Sequence, residues 1–156
     1  MKREILGYEF EFFTNIEPEK EATGVIRQFM PQSQYRNLKR LPLNQHGSGP
    51  FCQFRISPHL PFMGVYFLNI GDQIVYVGEC MNLSERFNAR GYGSIHPRNC
   101  FQGGQPTNCK INNLILKEAQ GGNKIELWFC QTTDRKSLET TLIRKLQPAW
   151  NVQYKL

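Results

Sequence analysis

The sequence predicts an α+β protein: a small antiparallel three-stranded sheet flanked by helices, with an N-terminal extension that adds a strand. Three observations predict it. Residues 64–78 read as a tight hairpin, two arms rich in β-branched and aromatic residues around Gly71-Asp72, where glycine is free to take φ > 0. Ile125 to Cys130 reads as a third strand, and helical patterns lie between and after these strands. Phe51 to Ile56 alternates between Pro50 and Ser57-Pro58, so it is expected as a further strand at the sheet edge.

In chain order, Tyr8 to Phe13 alternates acid and aromatic, which argues for one buried and one wet face. Asn15 to Glu21 carries acids suited to the first turn of a helix. Residues 29–50 are polar, aromatic, cationic and finally glycine-rich. They read either as an arm contacting nucleic acid, with Arg36, Lys39 and Arg40 on phosphates and Gln32 or Gln34 at a base edge, or as a solvated connector. After the hairpin, Glu79 to Arg90 reads as a short helix with Asn82 as N-cap and Glu85 at capping-box spacing. Arg86 and Arg90 would then share one face. Residues 91–108 are too punctuated by Gly and Pro to be regular. Asn108 to Ala119 is an amphipathic helix stopped by Gly121-Gly122, and Arg135 to Leu146 is a last helix capped by Thr132-Thr133-Asp134 and ended before Pro148.

A chain of 156 residues is long enough to bury a core without staples. No apolar run approaches a membrane span, mean hydropathy is −0.49, and the N-terminus turns acidic too early for a secretory signal. The expectation is a soluble, cytoplasmic protein with no membrane partner. Five scattered cysteines without a CxxC pair suit free thiols in a reducing compartment. A zinc-binding interaction domain built on His96, Cys100 and Cys109 lacks a fourth ligand and paired spacing. The net charge of +6 and pI near 9.2 suit a polyanionic partner. The charge gathers late: residues 101–156 hold eight Lys or Arg against four acids, so phosphate contact is expected there, with Lys110 among the cations.

Gly64-Val65-Tyr66, followed ten residues later by Tyr76-Val77-Gly78, closely resembles the signature of the GIY-YIG nuclease superfamily, with Val for Ile in both halves. Arg86, Glu139 and Asn151 follow in the order and at the spacings that the family uses. The resemblance covers roughly residues 62–152. It divides the chain into an N-terminal extension, 1–60, and a catalytic domain, 61–156, with the extension expected to supply an edge strand and a DNA-contacting arm.

The resemblance implies a divalent-metal-dependent endonuclease acting on double-stranded DNA, most simply of restriction type, since the chain is barely longer than the catalytic fold. An inactive nucleic-acid-binding module and a repair or structure-specific nuclease are the alternatives. It assigns Tyr66 as general base, with Tyr76 orienting water or touching phosphate. A free phenol has a pKa of about 10 and needs nearby cations to work at neutral pH. Arg86 would supply one such cation and fork onto the phosphate. Glu139 would be the single protein ligand of Mg2+ (or Mn2+), and Asn151 would hold the site together. The family carries a His or Tyr one helical turn after the arginine, where this chain has Arg90. Either Arg90 is a second phosphate clamp, or Tyr92 or His96 takes the missing role. Sequence readout would fall to the extension and to Arg98, Gln102, Gln105 and Asn108. One active site per chain implies a homodimer on DNA, or two successive nicks.

Overall fold

The computed structural model of the chain describes residues 1–58 and 62–152. They form two compact units interleaved along the sequence: Met1–Ile16, Ser57–Ser84 and Asn123–Leu156 make the first, Glu17–Ile56 and Glu85–Gly122 the second.

The first unit is built on one antiparallel sheet of β1 (Lys2–Ile5), β2 (Tyr8–Asn15), β3 (Gly64–Ile70), β4 (Gln73–Cys80) and β5 (Glu126–Gln131), in the order β1-β2-β5-β3-β4. The sheet therefore has five strands rather than three plus one. The extension adds both β1 and β2, which pair with each other and, through β2, with β5. The acid–aromatic alternation of β2 has the expected effect: Phe10 is fully buried and Phe12 packs on the same core, while Glu9 and Glu11 stay exposed and pair with Lys2. Phe10, Val65, Phe67, Val77 and Trp128 cover one face of the sheet, and Leu138, Leu142 and Ile143 of a helix, Arg135–Leu146, pack onto them. That helix has the bounds that its pattern predicts.

The second unit holds a 15-residue helix, Pro106–Gln120, and two short 3₁₀ turns, Pro31–Gln34 and Pro97–Cys100. Its apolar centre includes Phe51, Ile95, Cys100, Phe101 and Cys109. Between the units in sequence runs a five-residue helix, Leu83–Phe87. In chain order these three helices are α1 (Leu83–Phe87), α2 (Pro106–Gln120) and α3 (Arg135–Leu146).

Three expectations are corrected. Phe51 to Ile56 is not an edge strand. Its burial alternates as read, but the amides of Cys52, Phe54 and Ile56 donate to Asn112 Oδ1 (2.9 Å), the Gly93 carbonyl (3.0 Å) and Asn88 Oδ1 (2.8 Å) instead of to a ladder. Only Phe51 bridges, to Phe29. Asn15 to Glu21 is not helical: β2 runs on to Asn15, the Ile16 amide donates to the Ile125 carbonyl at 2.8 Å, and Lys20 bridges Ile26. Finally, α1 ends at Phe87, so Arg90 lies outside it in a left-handed conformation (φ 68°) and shares no helical face with Arg86.

Candidate active site

The two tyrosines of the hairpin lie on one face of the sheet. Tyr66 pairs with Gly78 and Leu68 with Tyr76, which makes Tyr66 and Tyr76 diagonal neighbours across β3 and β4. Their ring centroids are 6.2 Å apart at 45°. Both are buried, Tyr66 fully. The glycines flanking them have steric reasons to be there: a Cβ on Gly78 would overlap the Tyr66 phenol, and one on Gly64 would overlap the Cys130 carbonyl across the ladder. Tyr66 thus lies flat in the space where the residue opposite has no side chain.

Asn151, 1% exposed, closes the free side of β4. Its Oδ1 accepts from the Val77 N–H and its Nδ2 donates to the Val77 carbonyl, both at 2.9 Å, so one carboxamide stands in for the missing neighbouring strand. The Trp150 amide donates to the Val75 carbonyl at 2.9 Å, extending this pairing by one step. The carboxamide fixes the peptides on either side of Val77, and the Trp150 amide the peptide that precedes Tyr76.

Glu139 is half-buried on α3, next to Leu138, which anchors the helix in the core. One turn earlier, Arg135 forms an ion pair with Glu79 of β4, both side chains about four-fifths covered. This pair ties the start of α3 to the strand bearing Tyr76. Sequence reading misses it, since the two residues lie 56 positions apart.

In the second unit, Arg86 is half-buried near the end of α1, and the Tyr92 amide donates to its carbonyl at 2.9 Å. Tyr92 is 1% exposed and packs edge-on against Phe87 at 5.1 Å, while its own carbonyl accepts from Asn112 Nδ2 at 2.7 Å. Arg90 is exposed. His96 is half-buried, and its Nδ1 accepts from the Arg98 amide at 3.2 Å, capping the following 3₁₀ turn. Of the three residues weighed for the role one turn after the arginine, Tyr92 is the one whose backbone is bonded to that of Arg86.

The expected nucleic-acid contacts scatter over the second unit. Arg36, Lys39 and Arg40 are exposed, as are Gln34, Gln102 and Gln105. Arg98 Nη1 donates to the Gln102 carbonyl at 3.0 Å. Asn108 is 5% exposed with its amide turned to Gln105 Oε1, and Gln32 holds the Ser48 carbonyl at 2.9 Å, so both amides are engaged within the unit. Lys110 is half-buried on α2. The Cys109 thiol donates to the Asn99 carbonyl at 3.3 Å, and among the described residues no group of three or more His, Cys, Asp or Glu is placed to hold a metal ion. No helix among the described residues is long and apolar enough to cross a membrane.

No family model and no curated protein matches the chain. Its fold does match the solved structure of a mutant of bacteriophage T4 EndoII, a GIY-YIG family endonuclease, with a TM-score of 0.51 and 20% sequence identity over 72% of this chain and 87% of that one. With Gly64-Val65-Tyr66 opening β3 and Tyr76-Val77-Gly78 in β4 of an antiparallel sheet packed by helices, this chain shares the fold of that EndoII structure.

Proposed function

We propose that the chain is a divalent-metal-dependent endonuclease that hydrolyses DNA phosphodiester bonds, of the restriction type. The observation that carries this reading is the pairing of Tyr66 and Tyr76 on one sheet face, with Gly78 vacated for the Tyr66 phenol and Val77 bracketed by Asn151. A sheet core does not need a phenol over an empty position.

In this reading Tyr66, as phenolate, accepts the proton of the attacking water, whose oxygen bonds to phosphorus as the bond to the 3′ oxygen breaks. Tyr76 holds that water or the phosphate. Arg86 contributes fixed positive charge, favouring the phenolate and forking onto nonbridging oxygens. Tyr92 takes the role left open by Arg90. The carboxylate of Glu139 is a hard oxygen donor, the kind of ligand taken by Mg2+ or Mn2+ when the ion retains waters and completes its shell with substrate phosphate. Bound there, the ion would neutralise phosphate charge and assist the leaving oxygen. Two copies on the DNA, or two successive nicks by one, would break both strands. The complete burial of Tyr66 favours a second reading, a module that binds DNA without cutting it.

Incubating plasmid DNA with the protein and with Glu139→Ala, in magnesium and in EDTA, separates the two. Discrete fragments that need magnesium and vanish in the variant are the expected result. Gel retardation by both proteins without cleavage would establish the binding module instead, and random fragmentation would remove the restriction assignment.

A further inference from the structure

The outward edge of α2 carries Lys110, Asn113, Leu114 and Lys117, the spacing of one helical stripe, while Cys109, Ile111, Asn112, Ile115 and Leu116 face inward. Along this stripe runs the segment 44–50, whose shape is fixed from several sides. The Asn44 amide donates to the Cys100 carbonyl (2.9 Å) and Asn44 Nδ2 to the Asn99 carbonyl (2.7 Å), while the His46 amide donates to Asn44 Oδ1 (2.9 Å). Gly47 lies so close to the Cys100 carbonyl that a Cβ there would overlap it, and Asn113 Nδ2 donates to the Pro50 carbonyl at 2.8 Å. Segment and helix thus form two fixed walls.

Between them lies a cleft of about 350 Å³, lined by Gln45, His46, Ser48, Lys110, Asn113 and Lys117 among others, and by no carboxylate. Burial, and then the charge of Lys110, holds the His46 imidazole below its ordinary pKa. Two ammonium groups, an imidazole, a hydroxyl and amides make a donor-rich lining that fits anionic oxygens spread over several sites. Lys110 and Lys117 are seven residues apart, about 10 Å along the helix. That distance spans about three phosphates of one strand at 3.4 Å of axial rise each.

We propose that this cleft is a docking site for the DNA sugar–phosphate backbone, with Lys110 and Lys117 on phosphate oxygens and His46, Ser48 and Gln45 completing the contact. The proposal takes its ligand from the reading of the chain as a DNA-processing protein, but it concerns binding and not cleavage. The test is fluorescence anisotropy of a labelled duplex titrated with full-length protein in EDTA, across a range of salt concentrations. The variant Lys110→Gln/Lys117→Gln should bind more weakly, and its plot of log affinity against log salt should be shallower by about 1.8, at about 0.9 for each phosphate that is no longer neutralised. Lys110→Arg/Lys117→Arg should restore the slope, which excludes misfolding as the cause. Lys20→Gln/Lys124→Gln, which removes equal charge from exposed positions elsewhere, should leave it unchanged. An unchanged slope in the first variant, or an equal loss in the last, overturns the proposal. Because EDTA suppresses turnover, a protein that shows the expected slopes yet never cuts retains the cleft and loses the nuclease; one that cuts with unaltered slopes does the reverse.

Discussion

Replacing Asn151 by Ala should destabilise the protein by about 4 kcal/mol. The substitution removes both partners of Val77, whose N–H and carbonyl are bonded at 2.9 Å to the carboxamide of a residue with almost no exposed surface. A buried backbone group left without a partner costs about 1–3 kcal/mol, and here there are two. Val77 is itself fully buried, so water does not take the place of either partner. Against a total stability of about 5–15 kcal/mol this is a large fraction, and for a chain of this size it corresponds to a fall in Tm of about 10 °C. Urea unfolding followed by tryptophan fluorescence measures it directly: the midpoint should fall with the slope m unchanged. Asn151→Asp, which when ionised buries a charge and sets a carboxylate oxygen against the Val77 carbonyl, should lose at least as much as the Ala variant at neutral pH. A loss below about 1 kcal/mol for Asn151→Ala would refute the reasoning, because β4 would then not depend on a side chain to complete its edge.

Two further outcomes follow from the same geometry. Gly78→Ala should abolish DNA cleavage, because the new methyl group must displace the Tyr66 phenol; urea unfolding of the variant should still be cooperative, and full activity would show that Tyr66 does not need its present position. Burial pushes the Cys52 thiol up to about 12, so it should resist iodoacetamide at pH 8 in the native protein and react only on unfolding, as peptide mass spectrometry would show. Since the folded pKa lies above the unfolded value of 9.0, this thiol contributes stability that is complete below pH 9 and is lost as the pH rises through 12. The urea midpoint should therefore fall across that interval, and Cys52→Ser should lose that part of the dependence.

What is legible in the sequence is what local pattern controls. The hairpin, β5 and α3 follow from short runs of β-branched, aromatic or periodic residues. The placing of the tyrosines on one face does not follow: they lie at opposite parity from the turn, and only the register shift between Leu68 and Asn69 brings Tyr76 to the face of Tyr66. The segment Phe51 to Ile56 shows where pattern misleads: its alternation is real, yet its amides are bonded by Asn88, Asn112 and Gly93, which come from distant parts of the chain. β1 escapes notice because Lys2-Arg3-Glu4-Ile5 has no apolar signature and is a strand only through its pairing with β2. Arg90 reads as helical because nothing in the composition of Asn88 to Gly91 announces that the chain leaves the helix after Phe87. The link between Glu79 and Arg135, 56 residues apart, cannot be seen from either sequence neighbourhood.

The place of β5 in the sheet bears on how the protein is made. β1 and β2 form a ribbon within the first fifteen residues, and β3 and β4 form another by Cys80, yet in the backbone ladder the two are joined through β5, which fits between β2 and β3. During synthesis both ribbons must wait with an unpaired edge each until Gln131 has left the ribosome, at about 5–20 residues per second a delay of several seconds after Cys80. Exposed Glu9 and Glu11 on the first ribbon are the kind of charge that discourages edge-to-edge association in that interval. A stalled or truncated product ending before β5 would carry two open edges and no sheet to close them, so the stretch from Glu126 onward decides whether the first half folds or aggregates.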